Sequence, residues 1–131
     1  MQYVLDTCTF LWLATDQSKL SAPAQQVIAD LDHRLHISAI TITETHRLVR
    51  KGKITLQVNM SLDVWFRVAL AQHQVRCEPI TLEIAHAAEI LPAIHNDPAD
   101  RFILATAQVM GARVLSPDGI MPHYPGFTVE W

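Results

Sequence analysis

Apolar positions along the chain come in two kinds of run, and the two kinds take turns. Short β-prone runs, Tyr3-Val4-Leu5, His36-Ile37-Ser38, Val75 to Ile80, Val114-Leu115 and Phe127-Thr128-Val129, read as strands. Between them lie longer segments whose apolar residues recur every three or four positions, and these read as helices. Cys8 to Ala14 is nearly all apolar, without Gly or Pro, and predicts a short buried helix. Pro23 to Leu31 follows with Ser21 as its cap, then Ile40 to Arg50 closed by Gly52, then Ser61 to Gln72. Thr81 caps a helix over Leu82 to Leu91 that stops at Pro92, and the polar stretch His95 to Asp100 opens the most hydrophobic helix, which runs to Met110 before Gly111. Strands alternating with helices predict an α/β fold in three layers, α/β/α, with a central parallel sheet.

Set against this pattern, four acids stand out. Asp6 ends the first apolar run, and in open α/β sheets the carboxyl ends of the strands are where ligands bind. As the N-cap of the helix that follows, Asp6 reads equally well. Glu44 shares a helix face with Ile40 and Leu48 and so points inward, unless it snorkels from the edge of the stripe. Asp97-Pro98-Ala99-Asp100 is a helix start, with Asp97 as N-cap and Asp100 in the first turn. Asp100 alone of the two lies on the inward face of Ile103, Leu104 and Ala107. Asp118 follows the fourth strand. All four can reach one edge of the sheet, where unpaired carboxylates would repel one another unless divalent cations sit among them. Oxygen ligands favour Mg²⁺ or Mn²⁺ over zinc, and the chemistry such a centre supports is two-metal hydrolysis of a phosphodiester.

The remaining composition narrows the choice. A chain of 131 residues predicts one domain over 1–131, and a net charge of −3 means that any nucleic-acid contact must come from a local patch. Arg47, Arg50, Lys51 and Lys53 are one candidate; favourable charges at a helix C-terminus explain Arg50 and Lys51 as well. Cys8 and Cys77 have no paired spacing and no secretory signal precedes them, so reduced thiols in a cytoplasmic protein are expected. No apolar run approaches the roughly 20 residues that a membrane span needs. Trp12, Trp65, Phe66 and Phe102 fall at helical spacings and read as core or dimer contacts rather than base-stacking platforms, with Trp65-Phe66 the better interface candidate. The histidines read as ordinary surface or half-buried residues, with no H-x-x-x-H pair for zinc, and Cys8 as an inert thiol in a buried helix.

Val4-Leu5-Asp6-Thr7 with Leu11-Trp12, Ser38-Ala39-Ile40 with Glu44, His95-x-Asp97-Pro98-x-Asp100-Arg101-x-Ile103-x-Ala105-x-Ala107, and Leu115-Ser116-Pro117-Asp118 with Tyr124-Pro125-Gly126 together resemble the PIN-domain nucleases. Within that family the chain looks like the VapC-like toxins of type II toxin–antitoxin pairs. The resemblance runs from Tyr3 to Trp131. It implies a PIN-like domain and a Mg²⁺- or Mn²⁺-dependent endoribonuclease, commonly a homodimer, silenced by a cognate antitoxin. It matches Asp6, Glu44, Asp100 and Asp118 to the acidic metal-site positions, and Thr7 and Ser116 to hydroxyl positions beside them. Asp97, as the cap, would support the site from behind. Two positions depart from the pattern: Cys8 where His is frequent, and Ser116 where Thr is usual. Neither removes an acid.

Other readings fit less well. A dehalogenase-type phosphatase needs a second acid two residues after Asp6, where Cys8 stands, and a receiver domain needs a phosphoacceptor Asp after a middle strand and a Lys after a late one. A catalytically inactive PIN-like binding module would be betrayed by a lost acid, and none is lost. A structure-specific DNA nuclease would use the same acids.

Overall fold

The structure, a computed structural model, describes residues 1–56 and 59–131. Strands β1 (Gln2–Leu5), β2 (Arg34–Ser38), β3 (Val75–Glu78), β4 (Arg113–Leu115) and β5 (Val129–Glu130) form one sheet in the order β3-β2-β1-β4-β5. Every neighbouring pair is parallel. The helices are α1 (Thr7–Thr15), α2 (Ala22–Ala29), α3 (Ile40–Arg50), α4 (Leu62–Gln72), α5 (Leu82–Ile90) and α6 (Pro98–Met110), with short 3-10 turns at Gln17–Lys19 and Met121–His123. The predicted elements are all present and differ only at their ends. β3 stops at Glu78, before Pro79, which has no N–H to give the ladder. Among the described residues no helix is long and apolar enough to cross a membrane.

The period of two along each strand sorts side chains onto the two faces of the sheet. Tyr3, Leu5, Leu35, Ile37, Val75 and Leu115 pack with Phe10 and Leu13 of α1, Ala24 of α2, and Trp65 and Phe66 of α4. Val4 and Val114 pack on the opposite side with Ile103, Leu104 and Ala107 of α6 and with Met121 and Tyr124. α5 lies outside α6, joined to it through Ile84, Ala88 and Ala105. The result is the three-layer α/β/α arrangement with a parallel sheet that the alternation of elements predicts.

Trp65 and Phe66 are not the interface expected of them. Both are buried; Phe66 lies nearly parallel to the Phe10 ring at 6.1 Å, and Trp65 meets Phe10 edge-on at 6.3 Å. α4 carries apolar side chains on more than one face, so its pattern alone could not tell which face is inward, and it is Val64 and Val68 that point to solvent.

β1 is the middle strand. The chain leaves it toward β2 on one side and comes back into β4 on the other, so a crevice opens beyond the carboxyl ends of β1 and β4. Arg101 steadies that end of the molecule. Its guanidinium donates to the carbonyls of Ala88, Leu91 and Pro92 at 2.8, 3.0 and 2.9 Å, filling the acceptors left open at the end of α5. Replacing Arg101 by Met keeps the aliphatic stem and removes these bonds, and should lower stability by about 1.5–3 kcal/mol. A denaturant midpoint equal to that of the parent protein would show that water replaces the guanidinium without loss.

Candidate functional site

Leu5 pairs with Leu115, so the residues that follow β1 and β4 emerge side by side. Asp6 is 5 % exposed and does two things at once. One carboxylate oxygen accepts the Thr9 N–H at 2.9 Å, capping α1, and the other accepts the Ser116 hydroxyl at 2.5 Å. The two readings of Asp6 were therefore never exclusive: the cap holds the carboxylate at the mouth of the crevice. Ser116 Oγ in turn accepts the N–H of Asp118 at 3.0 Å, so one hydroxyl couples the acid after β1 to the loop bearing the acid after β4. Asp118 Oδ1 accepts the N–H groups of Ile120 and Met121 at 2.8 and 2.9 Å, which fixes its other oxygen, Oδ2, near His95.

Asp97 is the N-cap of α6, accepting the Ala99 N–H at 2.9 Å, with Pro98 at the first helical position. Asp100, one turn on, lines a cavity of about 500 Å³ together with Asp6, Glu44 and Asp118, and Asp97 is not among the lining residues. The four acids come from four separate segments of the chain. Thr7 also lines this cavity, its hydroxyl 3.1 Å from that of Thr41. Of the basic run only Lys53 reaches the cavity wall; Arg47, Arg50 and Lys51 do not.

His95 is the residue that sequence reasoning missed. Its Nε2 lies 2.8 Å from Asp100 Oδ2 and 3.2 Å from Asp118 Oδ2, the second with hydrogen-bond geometry, while Nδ1 accepts the N–H of Asp97 at 3.2 Å. An accepting Nδ1 leaves Nε2 as the protonated nitrogen, so the imidazole donates between the two carboxylates and clamps them together. The Asp97 and Asp100 contacts are local to the start of α6; the contact with Asp118, which makes the clamp, depends on β4 lying beside β1 and leaves no spacing to read in the sequence.

Crowding shifts the acids. Burial pushes the Asp100 carboxyl up to about 7, with the charges of Asp97, Asp118 and Asp6 adding to the rise and His95 opposing it. Asp6 is raised by burial against the Ser116 and Thr9 bonds, and Glu44 by burial against the Thr7 hydroxyl, with Asp97 and Asp6 adding. In Asp118 burial is overcome by the Met121 and Ile120 N–H groups and by His95, which together hold it below the usual range. Cys8 Sγ sits 3.5 Å from both Asp6 oxygens, and burial with that negative neighbour pushes the thiol well up, so it is no nucleophile.

Ligand atoms of His95, Asp100 and Asp118 lie within 4.8 Å of one another, a spacing one metal ion could bridge. The donor set fits a hard cation, since carboxylate oxygens dominate it. A ligating imidazole normally turns its second N–H toward an acceptor; the second nitrogen of His95 faces the Asp97 N–H instead, so the carboxylates are the better ligands.

A sequence profile described as PIN domain matches residues 3–126. Over 116 residues the chain is 34% identical to Ribonuclease VapC22 of Mycobacterium tuberculosis (strain ATCC 25618 / H37Rv), covering 88% of this chain and 85% of that protein. Among solved structures, VapBC2 from Rickettsia felis bound to a promoter DNA fragment matches with a TM-score of 0.72 at 15% identity, over 99% of this chain and 98% of that one. VapBC-1 from nontypeable Haemophilus influenzae matches at 0.65 and 19% identity, over 99% and 97%. At those identities the structural likeness speaks for the fold.

Three raised carboxyl groups make stability depend on pH in a stated direction. Folded Asp100, Asp6 and Glu44 keep protons that the unfolded chain loses near pH 4, so in that window the folded state binds more protons and stability falls as pH rises. Asp118, held low, acts oppositely but only below the ordinary carboxylate range. In EDTA the unfolding free energy should therefore decline from about pH 4 toward 7, and Asp100→Asn should flatten the decline. A pH profile that rises through this window, in the parent protein, would contradict the assignment.

Proposed function

Because the chain belongs to the PIN domain family, we propose that it is a Mg²⁺- or Mn²⁺-dependent endoribonuclease and the toxin half of an antitoxin-controlled pair. The observation that carries the nuclease reading is the convergence of Asp6, Glu44, Asp100 and Asp118 on one cavity from four chain segments. RNA as substrate is supported by the relative named a ribonuclease, and an antitoxin partner by the complexes among the structural neighbours. On this reading residues 1–131 act as one nuclease domain in the cytoplasm, with both cysteines unpaired, as a homodimer for which exposed Val64, Val68, Leu82 and Ile90 offer apolar surface.

Asp6, Glu44, Asp100 and Asp118 would hold a divalent cation, which would supply Lewis acidity for phosphodiester hydrolysis. What the chain contributes is placement. Ser116 and the Thr9 N–H fix Asp6; the Ile120 and Met121 N–H groups fix Asp118; His95 holds Asp100 against it. The Thr7 hydroxyl, set against Thr41 and Glu44 of α3, and Asp97, capping α6, steady the helices that carry Glu44 and Asp100 without themselves acting on the phosphate.

The test is incubation of the purified protein with single-stranded RNA, structured RNA and DNA, each with Mn²⁺, Mg²⁺ or EDTA. RNA should be cut in either metal and spared in EDTA; cutting of DNA alone would turn the assignment to a DNA nuclease, and no cutting of either would leave a binding module. Asp118→Asn and Asp100→Asn should each abolish cleavage in a folded protein. Asp97→Ala should retain measurable cleavage and cost about 0.5–2 kcal/mol as a lost cap. An essential Asp97 beside a dispensable Asp100 would overturn the site.

A further inference from the structure

Two observations about His95 go past its role in tying the acids together. The first is distance. Its Nε2 stands 2.8 Å from Asp100 Oδ2 and 3.2 Å from Asp118 Oδ2. A donated hydrogen rests about 1.9–2.0 Å from its acceptor oxygen, and Mg²⁺ about 2.0–2.1 Å from a carboxylate oxygen. The Nε2 proton and a cation shared by these two oxygens therefore claim nearly the same place. The second is direction. A cation could keep the ring as a ligand only through a bare Nε2 lone pair, which would move the proton to Nδ1. Nδ1 already faces the Asp97 N–H at 3.2 Å, so that tautomer would set two donors against each other. The surroundings hold the ring as it is: Tyr124 Oη accepts the His95 N–H at 2.7 Å, and Arg101 Nη1 lies 3.5 Å from the same oxygen. Tyr124 is buried, and the His95 side chain is 10 % exposed. Ring and cation thus exclude each other between Asp100 and Asp118.

We propose that His95 is an internal occupant of the cation position: its Nε2–H holds Asp100 and Asp118 until a divalent cation drives the ring out, so this side chain sets the cation concentration at which the site fills. A protein whose cation-free form is held by an internal donor binds the cation with a weaker apparent affinity, in proportion to the fraction of molecules with the ring out. The same donor keeps two of the crowded carboxylates satisfied in the cation-free protein. What is regulated is occupancy, and the regulator is one imidazole on the segment that leads into α6. This rests on the reading of the acids as the divalent-cation centre of a nuclease.

The experiment measures Mn²⁺ binding to the parent protein, His95→Ala, His95→Gln and His86→Ala from the electron paramagnetic resonance signal of free Mn²⁺, all at one pH. His95→Ala should bind Mn²⁺ about 10-fold more tightly, the effect of removing one N–H bond to a charged oxygen from the cation-free protein. His95→Gln, whose carboxamide N–H reaches about as far as Nε2, should return most of the way to the parent affinity. His86 lies exposed on α5, and His86→Ala should match the parent. Pulsed spectra of the Mn²⁺-loaded parent should show no coupling to a coordinated nitrogen, a readout that needs no variant. Unchanged or weaker binding in His95→Ala, His95→Gln as tight as His95→Ala, a coordinated nitrogen in the parent, or no Mn²⁺ binding at all would overturn the proposal. If the parent cuts RNA in Mn²⁺ while His95→Ala binds the cation no more tightly, only the role of His95 falls; if the affinity pattern holds and the parent cuts no RNA, only the nuclease reading falls.

Discussion

Like charge gathered at the end of a parallel sheet is the constraint around which this molecule is built. Four carboxyl groups line one cavity, and burial lifts the pKa of Asp6, Glu44 and Asp100. Such a cluster works against folding, and the scaffold opposes it with backbone N–H and hydroxyl donors placed on individual carboxylate oxygens. Ser116 serves Asp6 with its proton and Asp118 with its lone pair; the start of α1 gives Asp6 an N–H; the turn after Asp118 gives that residue two. Among the described residues His95 is the one ring that touches two of the acids, and its tautomer is set by the backbone of the next helix start. The parallel pairing of β1 with β4 is what allows all of this, since it puts residues 6 and 116 next to each other.

Function then follows from asymmetry along the cavity. One end is acidic and dense in fixed donors; the other is apolar, with a tryptophan and two lysines. The carboxylate oxygens of the first suit a hard cation. The two ends share α1, whose first turn caps on Asp6 and whose later turns present Leu11, Trp12 and Thr15. A short helix with a buried side and a cavity side therefore joins the two ends.

Local rules carried the sequence reading far, and they failed where the decisive contact is non-local. Strand and helix order, the Asp97 cap with Asp100 one turn behind it, and the four inward acids were legible because each depends on spacing within a single element. His95 was not, because Asp118, the partner that makes it a clamp, meets it only once β4 docks beside β1. Trp65-Phe66 misled for a different reason: with apolar side chains on several faces of α4, periodicity does not say which face the sheet covers. The basic run divided in a way that no spacing rule shows, Lys53 reaching the cavity after the chain turns at Gly52 while Arg50 and Lys51 stay outside. Lys19, just as close to the cavity, lies in a short 3-10 turn with no motif around it.

If the four acids hold a divalent cation, anomalous scattering from crystals grown in Mn²⁺ will locate it among them. A Mn²⁺ peak is expected among the carboxylate oxygens of Asp6, Glu44, Asp100 and Asp118, with the imidazole of His95 displaced from between the acids and outside coordination distance. A cavity without a peak at saturating Mn²⁺, or a peak held by other residues, would contradict it.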